Sequence, residues 1–179
     1  MTKTNIALIG YMGTGKTAVG QALAKKLGMK FIGLDSLIEE QVGKKIPEIF
    51  RADGEIAFRE LEIEATRQSA GEKRCVIACG GGIVLNQINI HRLREGARIV
   101  YLTASPATIL KRVSAEKGQR PLLAVDDQLK TIVDMLKFRK PLYERSADIT
   151  ISTTRLGVNG VVERIIDELK KDEGFNFPK

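Results

Sequence analysis

Residues 5–17 read NIALIGYMGTGKT: a short apolar run, then Gly10 to Thr17 in the pattern G-x-x-x-x-G-K-[ST]. This stretch restricts the fold more than any other feature of the chain. The pattern has meaning only where a buried strand turns into a helix. Its glycines let the loop fold around an anion, with successive backbone N–H groups pointing inward. A helix starting at Lys16 adds the positive end of its dipole. There Lys16 reaches the β- and γ-phosphates of a nucleoside triphosphate and the Thr17 hydroxyl is placed to ligate Mg2+. Gly13, Thr14, Gly15 and Ala18 complete the expected nucleotide-binding loop. A glycine-rich turn without function is the alternative, and the full pattern behind an apolar strand weighs against it.

Further apolar runs follow at KFIGL (30–34), CVIAC (75–79), RIVYL (98–102) and DITIS (148–152). They are apolar throughout rather than alternating, as expected of strands buried on both faces of a parallel sheet. Helical patterns fill the intervals at 16–27, 36–50 with 55–70, 87–95, 106–116 and 127–146, and a last helix is expected near 157–171. This alternation predicts an α/β three-layer P-loop fold: five parallel strands with helices on both faces, in a single domain over 1–179. Segments 36–70 and 115–127 read as inserts on that core.

Composition narrows the partners. Hydrophobic residues at 43% and charged residues at 28% are ordinary for a soluble globular protein. A net charge of +7 suits anionic small substrates, nucleic acid or an acidic membrane surface. The Lys and Arg residues form no block and do not interleave with aromatics, which argues against nucleic acid. Cys75 and Cys79 share one apolar run, there is no second cysteine pair, and His91 is the single histidine. Structural zinc and a disulfide framework are thereby disfavoured, and free buried thiols suit a reducing compartment. The initial apolar run is too short for a signal peptide and no later run approaches a membrane span, so a cytoplasmic protein is expected.

Other motifs suggest what a phosphate is transferred to. In GLDSLIEE (33–40) Asp35 follows the second strand, and in DGEIAFRELE (53–62) an Asp-Gly turn leads into a helix carrying Arg59. ACGGGIV (78–84) sets Gly80, Gly81 and Gly82 at the carboxyl end of the third strand, where α/β ligands bind and no side chain blocks the backbone. GQRPLL (118–123) carries Arg120, and FRKPLYER (138–145) carries Arg139 late in a long helix.

Together, GYMGTGKT, GLDSLIEE, GEIAFRELE, CGGGIV, QRPLL and RKPLYE resemble shikimate kinase, in order from about residue 5 to residue 152 without a large insertion. The phosphate loop is common to many families; the spacing of the other five is not. The resemblance implies a nucleoside-monophosphate-kinase-like fold with strand order 2-3-1-4-5, a substrate-binding insert at 36–70 and a lid at 115–127. It implies transfer of the ATP γ-phosphate to the 3-hydroxyl of shikimate, on the route to aromatic amino acids. Carried over by position, Asp35, Arg59, Gly81 and Arg139, with Gly80 and Gly82 beside them, would hold shikimate. The arginines suit its carboxylate, which a guanidinium fork can grip with two bonds. Arg120 would close over the phosphates and Arg112 would lie against adenine. Mg2+ is the implied cofactor, ATP and shikimate are the implied partners, and a monomer acting without nucleic acid or membrane is expected.

Bland readings stand beside these. Arg59 can pair with Glu55 or Glu62 on its own helix, and Asp35 can be a helix N-cap as well as the group that takes up the proton of the attacking hydroxyl. The family usually reads Asp-x-Asp where this chain has Gly33-Leu34-Asp35, so weakened Mg2+ affinity is expected, with phosphates and waters completing the shell. Cys79 stands where the family usually has Ser or Thr and reads as a packing thiol; His91 reads as having no role. A gluconate-type kinase and a nucleotide sensor are the other functions considered. The paired arginines and triple glycine oppose the first. The presence of Lys16, Thr17, Asp35 and Arg120, in a chain with no room for a partner domain, opposes the second.

Overall fold

Every residue of β1 (Asn5–Ile9) is buried, because this strand lies in the middle of the sheet and is covered on both faces. The computed structural model describes residues 2–115 and 127–178. Around β1 the order is β2-β3-β1-β4-β5, with β2 at Lys30–Gly33, β3 at Cys75–Ala78, β4 at Ala97–Thr103 and β5 at Ile149–Ser152. All pairings are parallel: Ala7 sits between Ile77 and Ile99, and Ile32 pairs with Ile77. This is the strand order that the family resemblance implied.

Side chains alternate across the sheet, so β1 feeds two cores. Ile6 and Leu8 face α1 (Lys16–Leu27) and α8 (Val158–Lys170), packing with Val19, Leu23, Val161 and Ile165. Ala7 and Ile9 face the opposite layer, with Ile38, Phe58, Ile90, Ile109 and Tyr143. That layer comprises α2 (Leu34–Val42), α3 (Ile46–Ala52), α4 (Gly54–Gly71), α5 (Gln87–Gly96), α6 (Pro106–Ala115) and α7 (Gln128–Ser146). Each fully buried Ile or Leu contributes about 1.5–3 kcal/mol, and the central strand alone supplies Ile6, Leu8 and Ile9 at 0% exposure.

Two local expectations are corrected. The stretch 36–50 is two helices, because Gly43 closes α2 in the left-handed conformation (φ 71°) and Pro47 sits in the first turn of α3. Helix α2 also begins earlier than expected. Its N-cap is Gly33, which has no side chain to cap with, so Asp35 lies inside the first helical turn and not at the cap. The proposed lid arginine, Arg120, and nearly all of 115–127 lie outside the described residues.

Candidate active site

The loop from Gly10 to Gly15 leaves the carboxyl end of β1 in a conformation that needs glycine. Gly10 has φ 144°, and a Cβ there would collide with the Leu102 carbonyl oxygen of β4. The Tyr11 carbonyl organises the turn: it accepts from Thr14 Oγ1 at 2.7 Å and from Lys16 Nζ at 2.9 Å. Lys16 is therefore folded back onto the loop at the N-terminus of α1. No acidic residue in that first turn offsets the positive helix end.

Arg112 of α6 braces the loop from outside. Its Nη1 donates to Gly13 O at 3.1 Å and to Thr153 Oγ1 at 2.9 Å, and its Nη2 donates to Thr153 O at 2.8 Å. A guanidinium donates along its edge, so bonds of this kind leave the flat faces to stack on a ring. Thr153, just beyond β5, has its buried hydroxyl 3.2 Å from Thr14 O and 3.1 Å from Thr103 O. Sequence reasoning missed Thr153. A hydroxyl after an edge strand is common, and only the tertiary contact distinguishes it.

The three glycines after β3 lie beside this loop: a Cβ at Gly81 would stand 3.5 Å from the Met12 nitrogen. Two arginines reach the glycines from different helices. Arg59 of α4 pairs with Glu62 and with Glu55, each at 3.0 Å, as the bland reading had it. Those pairs do not leave it in solvent. Its side chain is 18% exposed, and its guanidinium lies so close to Gly82 that a Cβ there would collide with it. Arg139 of α7 is buried; it donates to Gly81 O at 3.2 Å and lies 5.9 Å over the Tyr11 ring. Arg139 thus lies over a ring of the phosphate loop itself.

Two carboxylates converge on the first glycine. A Cβ at Gly80 would lie 3.0 Å from both Asp35 Oδ1 and Glu62 Oε1. Asp35 is exposed, whereas the Glu62 side chain is 1% exposed and its Oε1 has no hydrogen-bond partner among the described residues. Burial pushes the Glu62 carboxyl above its ordinary range, the Arg59 guanidinium pulls it back, and the nearby Asp35 charge pushes it up again. Glu62 enters the sequence reading only as a partner for Arg59; its place beside Asp35 comes from α4 packing over the glycine turn. Cys79 is fully buried and burial pushes its thiol far above the ordinary range, which fits packing and not nucleophilic chemistry.

Gly33 lies on the α1 side of the sheet. Phe31, two residues earlier on the same face of β2, packs its ring against Gly20 of α1. The strand ends at the same end of the sheet as the helix's N-terminus, the turn that carries Thr17. A Cβ at Gly33 would meet only ordinary contacts, 3.6 Å from Phe31 and from Ser36 Oγ. Among the described residues no group of three or more His, Cys, Asp or Glu is arranged to hold a metal. The exposed Thr17 hydroxyl is a hard oxygen donor that suits a cation carried chiefly by phosphate and water.

A phosphate loop touching a glycine turn, itself flanked by two arginines and an acid pair, defines an ATP-dependent kinase of a small anionic acceptor. Over residues 12–170 the chain matches the family model described as shikimate kinase. It is 44% identical over 167 residues to the shikimate kinase of Thermodesulfovibrio yellowstonii, covering 93% of this chain and 95% of that one. A shikimate kinase of Thermus thermophilus is 42% identical over 166 residues, with 93% and 90% covered. A solved shikimate kinase from Acinetobacter baumannii, in complex with shikimate, aligns with TM-score 0.91 at 35% identity over 96% of each chain. The chain belongs to the shikimate kinase family, and it is an ATP-dependent enzyme that phosphorylates shikimate.

Proposed function

We propose that the shikimate carboxylate is gripped between Arg59 and Arg139 over the Gly80–Gly82 turn, with its hydroxyls turned to Asp35. The observation that carries this reading is the convergence of Asp35 and Glu62 on Gly80, beside a turn that touches the phosphate loop. ATP sits in the loop Gly13–Ala18, with the flat face of Arg112 toward adenine. Lys16, and Arg120 of the lid segment 115–127, stabilise charge on the transferring phosphoryl group. Asp35 orients the attacking 3-hydroxyl and takes its proton. That transfer is late in a loose phosphoryl transfer, so most of the contribution of Asp35 is positioning. The pairing of Glu62 with Arg59 holds the guanidinium at the turn.

Thr17 would hold Mg2+, whose charge would offset that of the phosphates. With Gly33 in place of an acid, the ion has one fewer carboxylate near its water shell. Gly33→Asp is therefore expected to lower the half-saturating Mg2+ concentration several-fold, on the order of 1 kcal/mol for one charge-assisted contact through water. Titrating Mg2+ at fixed ATP checks this, and an unchanged midpoint would deny position 33 any part in metal binding. The reading also takes the enzyme to be a cytoplasmic monomer that binds no nucleic acid. Buried free thiols at Cys75 and Cys79 support a reducing compartment, and no helix among the described residues is long and apolar enough to cross a membrane.

A coupled ADP-release assay with ATP and Mg2+ tests the whole reading, comparing shikimate, quinate, gluconate and no acceptor. Turnover with shikimate alone is expected. Equal turnover with gluconate, which also carries a carboxylate, would show that the site does not select the shikimate ring.

A further inference from the structure

Arg139 and Tyr143 are one turn apart on α7 and meet at the same atom. The Gly81 carbonyl accepts from Arg139 Nη1 at 3.2 Å and from the Tyr143 hydroxyl. Tyr143 is wholly buried, and its ring stacks on Tyr101 of β4 with centroids 4.9 Å apart and planes 16° from parallel. Its position is therefore fixed by the sheet and not by the glycine turn. Burial pushes the phenol far above its ordinary range, so it keeps its proton and donates.

The Gly81 carbonyl lies between the two arginines. The Gly81–Gly82 peptide is trans, so turning its carbonyl toward α7 turns the Gly82 N–H the opposite way. Arg139 lies on one side of this peptide, and the Arg59 guanidinium lies against Gly82. A carbonyl oxygen has two lone pairs, and a buried one left half-satisfied competes for any donor in reach. The donor in reach is Arg139.

We propose that Tyr143 is a positioning residue for the acceptor. Its hydroxyl takes one of the Gly81 carbonyl's two lone pairs, so that oxygen holds Arg139 by Nη1 alone and the rest of the fork is left to meet the acceptor's carboxylate. This rests on the reading above that Arg139 and the glycine turn bind shikimate.

Tyr143→Phe in the full chain removes the hydroxyl and keeps the ring stack. The KM for shikimate should rise about tenfold, the size of effect expected when a buried carbonyl loses one hydrogen bond. kcat and the KM for ATP should stay within about twofold, because no phosphate contact is lost. An unchanged shikimate KM would overturn the proposal. So would equal rises in both KM values, or a variant that fails to fold, since either would make Tyr143 a purely structural residue. Arg139→Lys, run beside it, separates the two layers. If Arg139→Lys leaves the shikimate KM unchanged, the acceptor-site reading itself fails. A defect in Arg139→Lys with none in Tyr143→Phe removes only the role given to Tyr143.

Discussion

Asp35→Asn is expected to retain no more than about 1% of the wild-type kcat with shikimate, the roughly 10²-fold cost of misplacing a reacting group. The amide keeps the shape and can still accept a hydrogen bond, but it cannot take the hydroxyl's proton, and its NH2 presents donors where the carboxylate presented acceptors. ATP affinity should change far less than kcat, because Asp35 is assigned to the acceptor and not to the nucleotide. The fold should also survive. Asp35 is exposed, and its charge pushes the buried Glu62 carboxyl up, so removing it relieves a repulsion. Single-turnover rates, ATP affinity and the thermal midpoint, taken together, decide the matter. A variant with more than about a tenth of the wild-type kcat would shift the burden of orienting the hydroxyl to Glu62.

Arg59→Ala should damage both binding and stability, and the second effect should depend on pH. Losing a guanidinium from a carboxylate grip costs roughly 2–5 kcal/mol, so the KM for shikimate should rise by about 30-fold or more. Arg59 also compensates Glu62, whose side chain is 1% exposed. Breaking a buried pair by removing one partner costs about 3–5 kcal/mol, and the lower end applies because Arg59 is itself partly exposed. The sign with pH follows from Glu62. Its folded-state pKa lies above its ordinary value of 4.5, first because of burial, and losing Arg59 removes the main influence holding it down. A carboxyl raised on folding binds more protons in the native state, so stability falls as pH rises from the unfolded value through the folded one. The Arg59→Ala deficit should therefore be small near pH 4.5 and grow toward pH 8. Urea unfolding of both proteins at pH 5 and pH 8 measures it. A deficit that is constant, or larger at pH 5, would mean that Glu62 is not its source.

Much of the fold and site is legible in the sequence because it is local. The phosphate loop announces itself by glycine spacing behind an apolar run, and the strands by composition, since a parallel sheet covered on both faces leaves no polar alternation. The break at Gly43 and Pro47 is also written locally, yet periodicity runs through it, as two short helices share the pattern of one long one. The place of Asp35 differs by two residues for a related reason. Capping preference favours Asp at the cap, whereas the chain caps α2 with Gly33 and sets the acid in the first turn, where the helix dipole also favours a negative charge.

The sequence alone singled out Lys16, Thr17, Arg59, Gly80–Gly82 and Arg139 as candidates, because each belongs to a motif that can be read from near neighbours in the chain. Tertiary structure alone decided what those groups touch. Arg139 and Tyr143 reach Gly81 across 58 and 62 residues, and Arg112 and Thr153 brace the phosphate loop across 99 and 139. It also turned Glu62 from one more carboxylate on a helix into a buried charge beside Gly80, close enough to Asp35 to feel its repulsion. Spacing fixes which face of an element a side chain occupies. Only the packing of one element on another removes it from water and makes its charge count.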